Sequence, residues 1–344
     1  MAYTRFPKLF YGRYIRSEQY NFNPGQAVYC TIEELDGRLY VAERVDSRAG
    51  GRARSELVIS EMDPETCMLL GKKTLWIRPD KYVYFGVIDS CVYQGKIWLT
   101  FTTATRWGVG LGCEDTWIMW FDPRSGEKGE PVKVCPDKNS GCSNMTVWRG
   151  KIWISYNAGS RWQGDSHLCL RSFDGSTFGP EHLWDGHKSV YHPAVSVFND
   201  HLYIHYGESS MFGIDKESDS LFMVEFDGGE FFSCRRFYSQ GRNAYVHATE
   251  YDERLWMFWK STGRTYKRYG YDYQDIAMMY MERDGTLSGR EYLIEENTYN
   301  SGPVPCLFRD KLYIVYTKYT RYYHSESGPS KWVGDWVVTL TKVR

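Results

Sequence analysis

Several signatures that would settle a function quickly are missing from this chain of 344 residues. No apolar run approaches the roughly 18 residues of a membrane helix, so no membrane insertion is expected. The N-terminal MAYTRFPKLF has no apolar core of the signal-peptide kind, which points to a cytoplasmic location. Formal net charge is only -1, so no general attraction to nucleic acid or anionic lipid is expected. The nine cysteines include no Cys-x-x-Cys pair. Buried, reduced thiols are expected, with Cys135 and Cys142 as a pair that could bridge. His-x-His, His-Glu-x-x-His and Asp-rich loops are absent, so no metal is expected. The GVGLG run follows a strand but opens no helix, so no phosphate-binding cofactor is expected either. Gly-x-Ser-x-Gly is absent, and nothing bears on oligomeric state.

Aromatic residues, by contrast, are abundant at 17%, as in sheets that pack face to face. They fall into a block that recurs six times: an apolar run, a two-residue polar turn, then an apolar or aromatic strand. The turns are Asp36-Gly37, Gln94-Gly95, Arg149-Gly150, Asn199-Asp200, Asp252-Glu253 and Arg309-Asp310. Their second residues lie 58, 55, 50, 53 and 57 apart. A period of this length with several strands per unit predicts an all-β fold, a six-bladed β-propeller forming a single domain over 1–344. A third strand follows in every unit, and a fourth in the first five. The sixth unit has none, so the N-terminal segment near 8–18 is expected to supply the outer strand of the last blade and close the ring. Asn144-Met145-Thr146 matches a glycosylation sequon, but its place on an inner strand argues against modification.

The loops between second and third strands are long, and they share one face of the ring with the starts of the inner strands. Long loops on a rigid scaffold carry function. Here they hold Arg161, Trp107, Trp162, Arg264 and Tyr266, with Arg44 at a strand exit. Arginine forks bind carboxylates and aromatic rings stack on sugars, so a carbohydrate partner, an acidic glycan or polysaccharide, is expected. A solvated basic rim is the alternative. Aligning the units on their turns gives two further sets. Eight residues before the second turn residue, the upper register, stand Tyr29, Val87, Cys142, His192, Tyr245 and Gly302. Six before it, the lower register, stand Thr31, Asp89, Asn144, Ala194, His247 and Val304. Glu208 ends a second strand, where it is expected to point at the channel mouth as a base, or to activate Tyr245 or Tyr299 as nucleophile. His192 and His247 are alternative acid–base groups, and Asp89 is a candidate substrate contact. Packing histidines and a loop carboxylate are the plain alternatives.

Residues 37–60, GRLYVAERVDSRAGGRARSELVIS, resemble the first blade of the sialidase (BNR, or Asp-box, repeat) superfamily. Ser172-Phe173-Asp174-Gly175 resembles its repeated box one residue short. Arg5-Phe6-Pro7 resembles its Arg-Ile-Pro motif. The resemblance implies a six-bladed propeller and a glycoside hydrolase that releases an acidic sugar. It implies Arg44 as a carboxylate-binding arginine, Arg242 and Arg264 as further ones, Glu208 with Tyr299 as the nucleophilic pair, and Asp46 as acid–base. Two other functions stay open. One is a polysaccharide lyase acting on uronic acids through His192, Tyr245, His247 and Arg242. The other is a non-catalytic carbohydrate-binding or interaction propeller.

Overall fold

The computed structural model describes residues 14–16, 20–23, 27–49, 52–82, 84–105, 114–159, 165–187, 189–208, 220–239, 243–261, 274–300, 302–321 and 331–342. They form six antiparallel four-stranded blades. From the channel outward, blade I runs Ala27–Leu35, Arg38–Ala49, Arg52–Met62 and Leu69–Ile77. Blade II runs Tyr84–Tyr93, Lys96–Ala104, Glu114–Phe121 and the short Val132–Lys133. Blade III runs Ser140–Trp148, Lys151–Ala158, His167–Phe173 and Phe178–Trp184. Blade IV runs Val190–Phe198, His201–Glu208, Ser220–Phe226 and Phe231–Tyr238. Blade V runs Asn243–Tyr251, Arg254–Ser261, Gln274–Met281 and Glu291–Asn300. Blade VI runs Val304–Phe308, Lys311–Arg321 and Lys331–Lys342.

Blade VI takes its outer strand from the other end of the chain. Tyr14–Arg16 and Tyr20–Asn23 both pair antiparallel with Lys331–Lys342, in registers Ile15↔Thr341 and Tyr20↔Val337. Ring closure is therefore as expected, and it reaches past 8–18 to Asn23; residues 8–13 lie outside the described part. Pairing on this edge removes a row of open backbone groups.

Five of the two-residue turns work because both central residues adopt positive φ, which matches the twist of the flanking strands, and in the sixth only Arg309 does. Asp36 and Gly37 have φ of 54° and 75°, and the non-glycine pair Asp252 and Glu253 have 50° and 61°. Packing then closes the ring. Six buried clusters among the described residues each join one blade to the next. Leu57 and Ile59 of blade I meet Phe85, Leu99 and Phe101 of blade II. Trp153 and Leu170 of blade III meet Leu202, Ile204 and Tyr206 of blade IV. The eight described cysteines are free thiols, seven of them buried, so Cys135 and Cys142 do not bridge.

One distortion repeats through the inner strands. The register slips between Val28 and Cys30, Gly86 and Asp89, Gly141 and Asn144, Tyr191 and Ala194, and Ala244 and His247. Inside each slip sits the upper-register residue with positive φ: Tyr29 at 60°, Val87 at 48°, Cys142 at 53°, His192 at 48° and Tyr245 at 56°. A bulge re-aims the side chain it carries. Five blades thus turn their upper-register residue out of the regular strand pattern.

Candidate active site at the channel mouth

The bulges leave inner-strand N–H groups that the next blade's own ladder does not satisfy, and side chains of neighbouring blades accept them. Thr317 Oγ1 of blade VI accepts the Tyr29 N–H at 3.1 Å. Thr102 Oγ1 of blade II accepts that of Cys142 at 3.2 Å. In the lower register, Asp89 Oδ2 accepts the Met145 N–H at 2.7 Å and Asn144 Oδ1 accepts that of Val195 at 2.7 Å. Thr31 Oγ1 and Ser90 Oγ share a hydrogen bond of 2.7 Å between blades I and II. Two candidates from the sequence, Arg44 and Asp46, form another such tie. Arg44 binds Asp46 through two nitrogens at 2.9 and 2.6 Å and also donates to the Phe85 carbonyl of blade II.

Blades IV to VI differ. Their upper register carries His192, Tyr245 and Gly302. The His192 and Tyr245 rings lie side by side, centroids 3.7 Å apart and planes at 31°. Lys260, almost fully buried, places its ammonium 5.3 Å from the Tyr245 ring centroid. A β-carbon on Gly302 would stand 2.8 Å from Tyr245 Cβ, so the absence of a side chain there lets the tyrosine in. An imidazole, a phenol and a cation are thereby gathered in one arc. A phenol can serve as nucleophile or proton donor, and an imidazole is the usual proton carrier near neutral pH.

Below this arc the channel is crossed by side chains of three blades. His247 Nδ1 lies 3.2 Å from Asn144 Nδ2 and 4.0 Å from Asp89 Oδ1. Burial lowers the His247 pKa to about 4 and raises that of Asp89 well above the usual carboxylate range. Glu33, whose carboxylate accepts from Ser90 Oγ at 3.0 Å, is likewise pushed up by burial, to about 7. Asn144 sits in the wall of this channel, buried, and its amide is consumed by these contacts, in line with the expectation that the sequon is not used.

Glu208 lies elsewhere. It shares a sheet face with Tyr206, two residues earlier, and its charge is felt by Tyr206 and Cys234. The Tyr206 hydroxyl accepts from Trp184 Nε1 at 3.1 Å and bonds His187 Nδ1 at 2.7 Å, so this face looks towards blade III. Strand alternation gives the face towards blade V to Gly207. Among the described residues Glu208 makes no hydrogen bond to Tyr245. Tyr299 pairs through its backbone with Tyr319, and its side chain lies outside the described part. So do Trp107, Arg161, Trp162, Arg242, Arg264 and Tyr266, as well as Arg5-Phe6-Pro7. The two described cavities lie towards the turn face: one of about 380 Å³ in the channel and one of about 730 Å³ floored by Tyr251, Phe308 and Tyr313. Two contributors were not singled out from sequence. Lys260 was readable only as the strand-exit counterpart of Arg44, and Glu33 only as the residue two beyond the lower register.

No protein-family model matches the sequence, and no curated protein matches it. Solved structures do. The Trypanosoma rangeli sialidase in complex with the inhibitor DANA superposes with a TM-score of 0.64 at 10% identity, covering 92% of this chain and 55% of that one. The same sialidase in complex with 2,3-difluorosialic acid, a covalent intermediate, gives 0.62 at 10% identity over 92% of this chain and 54% of that one. A thermostable family-43 glycoside hydrolase gives 0.50 at 13% identity over 77% and 92%. The chain thus spans about 55% of the length of the sialidase chains it matches. Across that span it carries the propeller fold of the sialidases.

Proposed function

We propose that this protein is a glycan-cleaving enzyme, a glycoside hydrolase of the sialidase-like propeller type, acting on an acidic sugar at the channel mouth. The observation that carries the reading is the stacked His192–Tyr245 pair with Lys260 beside it. The pair comes from adjacent blades and stands where the inner strands begin. Structural likeness to sialidases, one of them in complex with 2,3-difluorosialic acid as a covalent intermediate, supports a sugar substrate. In this reading Tyr245 is the nucleophile, Lys260 steadies its ring by a cation–π contact, and His192 carries the proton.

A second reading is β-elimination from a uronic-acid polymer, with His192 as base and Tyr245 as proton donor to the leaving oxygen. It is favoured by one observation: the pair contains no carboxylate, and Glu208 faces blade III. The two readings predict different products. Purified protein is incubated with chromogenic sialosides and uronides and with acidic polysaccharides, and both released sugar and ultraviolet absorbance of unsaturated product are followed. Tyr245→Phe and His192→Gln should each lower kcat by about 10²-fold or more while KM changes little. Full activity in both variants, with Tm unchanged, would exclude the pair from the chemistry. A wild-type protein inert on the whole panel would leave the carbohydrate-binding reading.

A further inference from the structure

The lower half of the channel has a character of its own. Every residue lining its cavity of about 380 Å³ lies at or below the lower register, and none belongs to the upper register. The Asp89–Asn144–His247 layer therefore stands between this cavity and the mouth. Hydrogen bonding determines the proton positions in that layer. Asn144 Oδ1 accepts the Val195 N–H, so its Nδ2 is the end that faces His247. An amide NH₂ only donates, so His247 Nδ1 is the acceptor and the ring proton resides on Nε2. Protonating Nδ1 would set two donors against each other, which agrees with the pKa of about 4 that burial produces. Nε2–H has no hydrogen-bond partner among the described residues, and His247 lines the cavity.

Acceptors share the cavity wall with that donor. Asp89, 3% exposed, has one oxygen on the Met145 N–H and the other 4.0 Å from His247 Nδ1, beyond hydrogen-bond reach. Glu33 lies on the same wall with the Ser90 hydroxyl, and Thr146 and Thr249 add two more. Among the described residues no lysine or arginine lines the cavity. A hydroxyl suits such a wall, since it can accept from an imidazole N–H and exchange hydrogen bonds with a carboxyl group. Several such groups in a volume of this size make a polyol, and buried carboxyl groups with no cation beside them offer an anion no counter-charge. We propose that the lower channel is a second binding site, for a small neutral polyhydroxylated ligand of the monosaccharide or alditol class, distinct from the acidic-sugar site at the mouth.

The test follows the His247 ring resonances by NMR, assigned by comparison with His247→Gln, during titration of the full chain. The probes are D-galactose, N-acetyl-D-glucosamine, myo-inositol, sorbitol and D-glucuronate. At least one neutral probe should shift the His247 signals saturably, and D-glucuronate should bind at least tenfold more weakly. Asp89→Asn, which keeps an oxygen for the Met145 N–H, should weaken the neutral probe threefold or more. His192→Gln should leave this titration unchanged while abolishing cleavage, so the two sites fail separately. If the protein cleaves no glycan, the titration still decides the channel site. The proposal is overturned if no neutral probe shifts His247 in the wild type, if glucuronate binds as tightly as the neutral probes, or if Asp89→Asn binds like the wild type.

Discussion

Blades I to III and blades IV to VI come from one repeat but are joined differently. In the first arc, polar side chains tie each inner strand to the next: Thr31 to Ser90, Asp89 to Met145, Asn144 to Val195, Thr102 to Cys142. In the second arc the same registers hold Ala194, Gly207, Gly302 and Val304, which have no polar side chain, and Pro305, which has no N–H; Thr317 of blade VI keeps a tie, to Tyr29 of blade I. His247 stands in the lower register of blade V, but Pro305 occupies the receiving place on blade VI, so the imidazole turns to Asn144 and Asp89 instead. The arc in which these positions have lost their polar side chains is the one where His192, Tyr245 and Lys260 meet. A repeat that holds its ring together with polar ties in one half can release the equivalent positions for chemistry in the other. The local rule is broken where function is proposed to lie.

The largest expected effect comes from the closing strand of the second arc. Deleting residues 1–23 removes both segments that cover Lys331–Lys342 and exposes a long strand edge. Aggregation or loss of the cooperative thermal transition is expected, read by light scattering and calorimetry; a monomer with unchanged Tm would show that blade VI holds without it.

Asn144→Asp tests the layer that links the two arcs. The substitution replaces a donor to His247 with a charged acceptor. The His247 pKa should rise from about 4 to above its ordinary value, a change of about 2 units or more, followed by NMR titration. A pKa that stays low would refute the assignment of the ring proton.

The third prediction concerns Glu33 in the first arc. Its pKa is raised by burial from 4.5 to about 7, so the folded protein binds the extra proton. This contribution is complete below pH 4.5 and is lost as pH rises through 7. Glu33→Gln should flatten the decline of stability between pH 5 and 8, by ~2 kcal/mol at the upper end, measured as urea midpoints across that range. His247 acts in the opposite sense: its contribution is complete above pH 6.5 and lost as pH falls through about 4.

The smallest effect sharpens the contrast directly. Thr102→Val leaves the buried Cys142 N–H without its acceptor and should cost about 1–2 kcal/mol. Ala194→Ser, at the lower-register position of blade IV, where the side chain is apolar, should change stability by less than about 0.5 kcal/mol. Equal losses in chemical denaturation would mean that the ties do not distinguish the arcs.

The fold was legible in the chain because its signals are local. Turn pairs such as Asp36-Gly37 favour positive φ wherever they stand, and strand alternation marks a buried face without reference to the partner. Six such units imply six blades, and a unit short of its outer strand implies a strand from elsewhere; Tyr14–Arg16 and Tyr20–Asn23 supply it. The upper register was also legible, since it is a constant offset from the turn, and two of its members, His192 and Tyr245, prove to be neighbours.

The direction in which a strand-end residue faces was not. Glu208 follows Tyr206 by two residues and so belongs to the blade III side, yet nothing in HLYIHYGE says which neighbour that side meets. Arg44 reads as an open guanidinium until Asp46 and the Phe85 carbonyl are seen to occupy it. His247 reads as an acid–base group until Asn144, 103 residues away, is seen to face its ring with a donor. Periodicity and turn chemistry act over a few residues and can be read from one strand. Proton positions, ion-pair partners and the identity of the facing blade depend on groups brought together only when the ring closes.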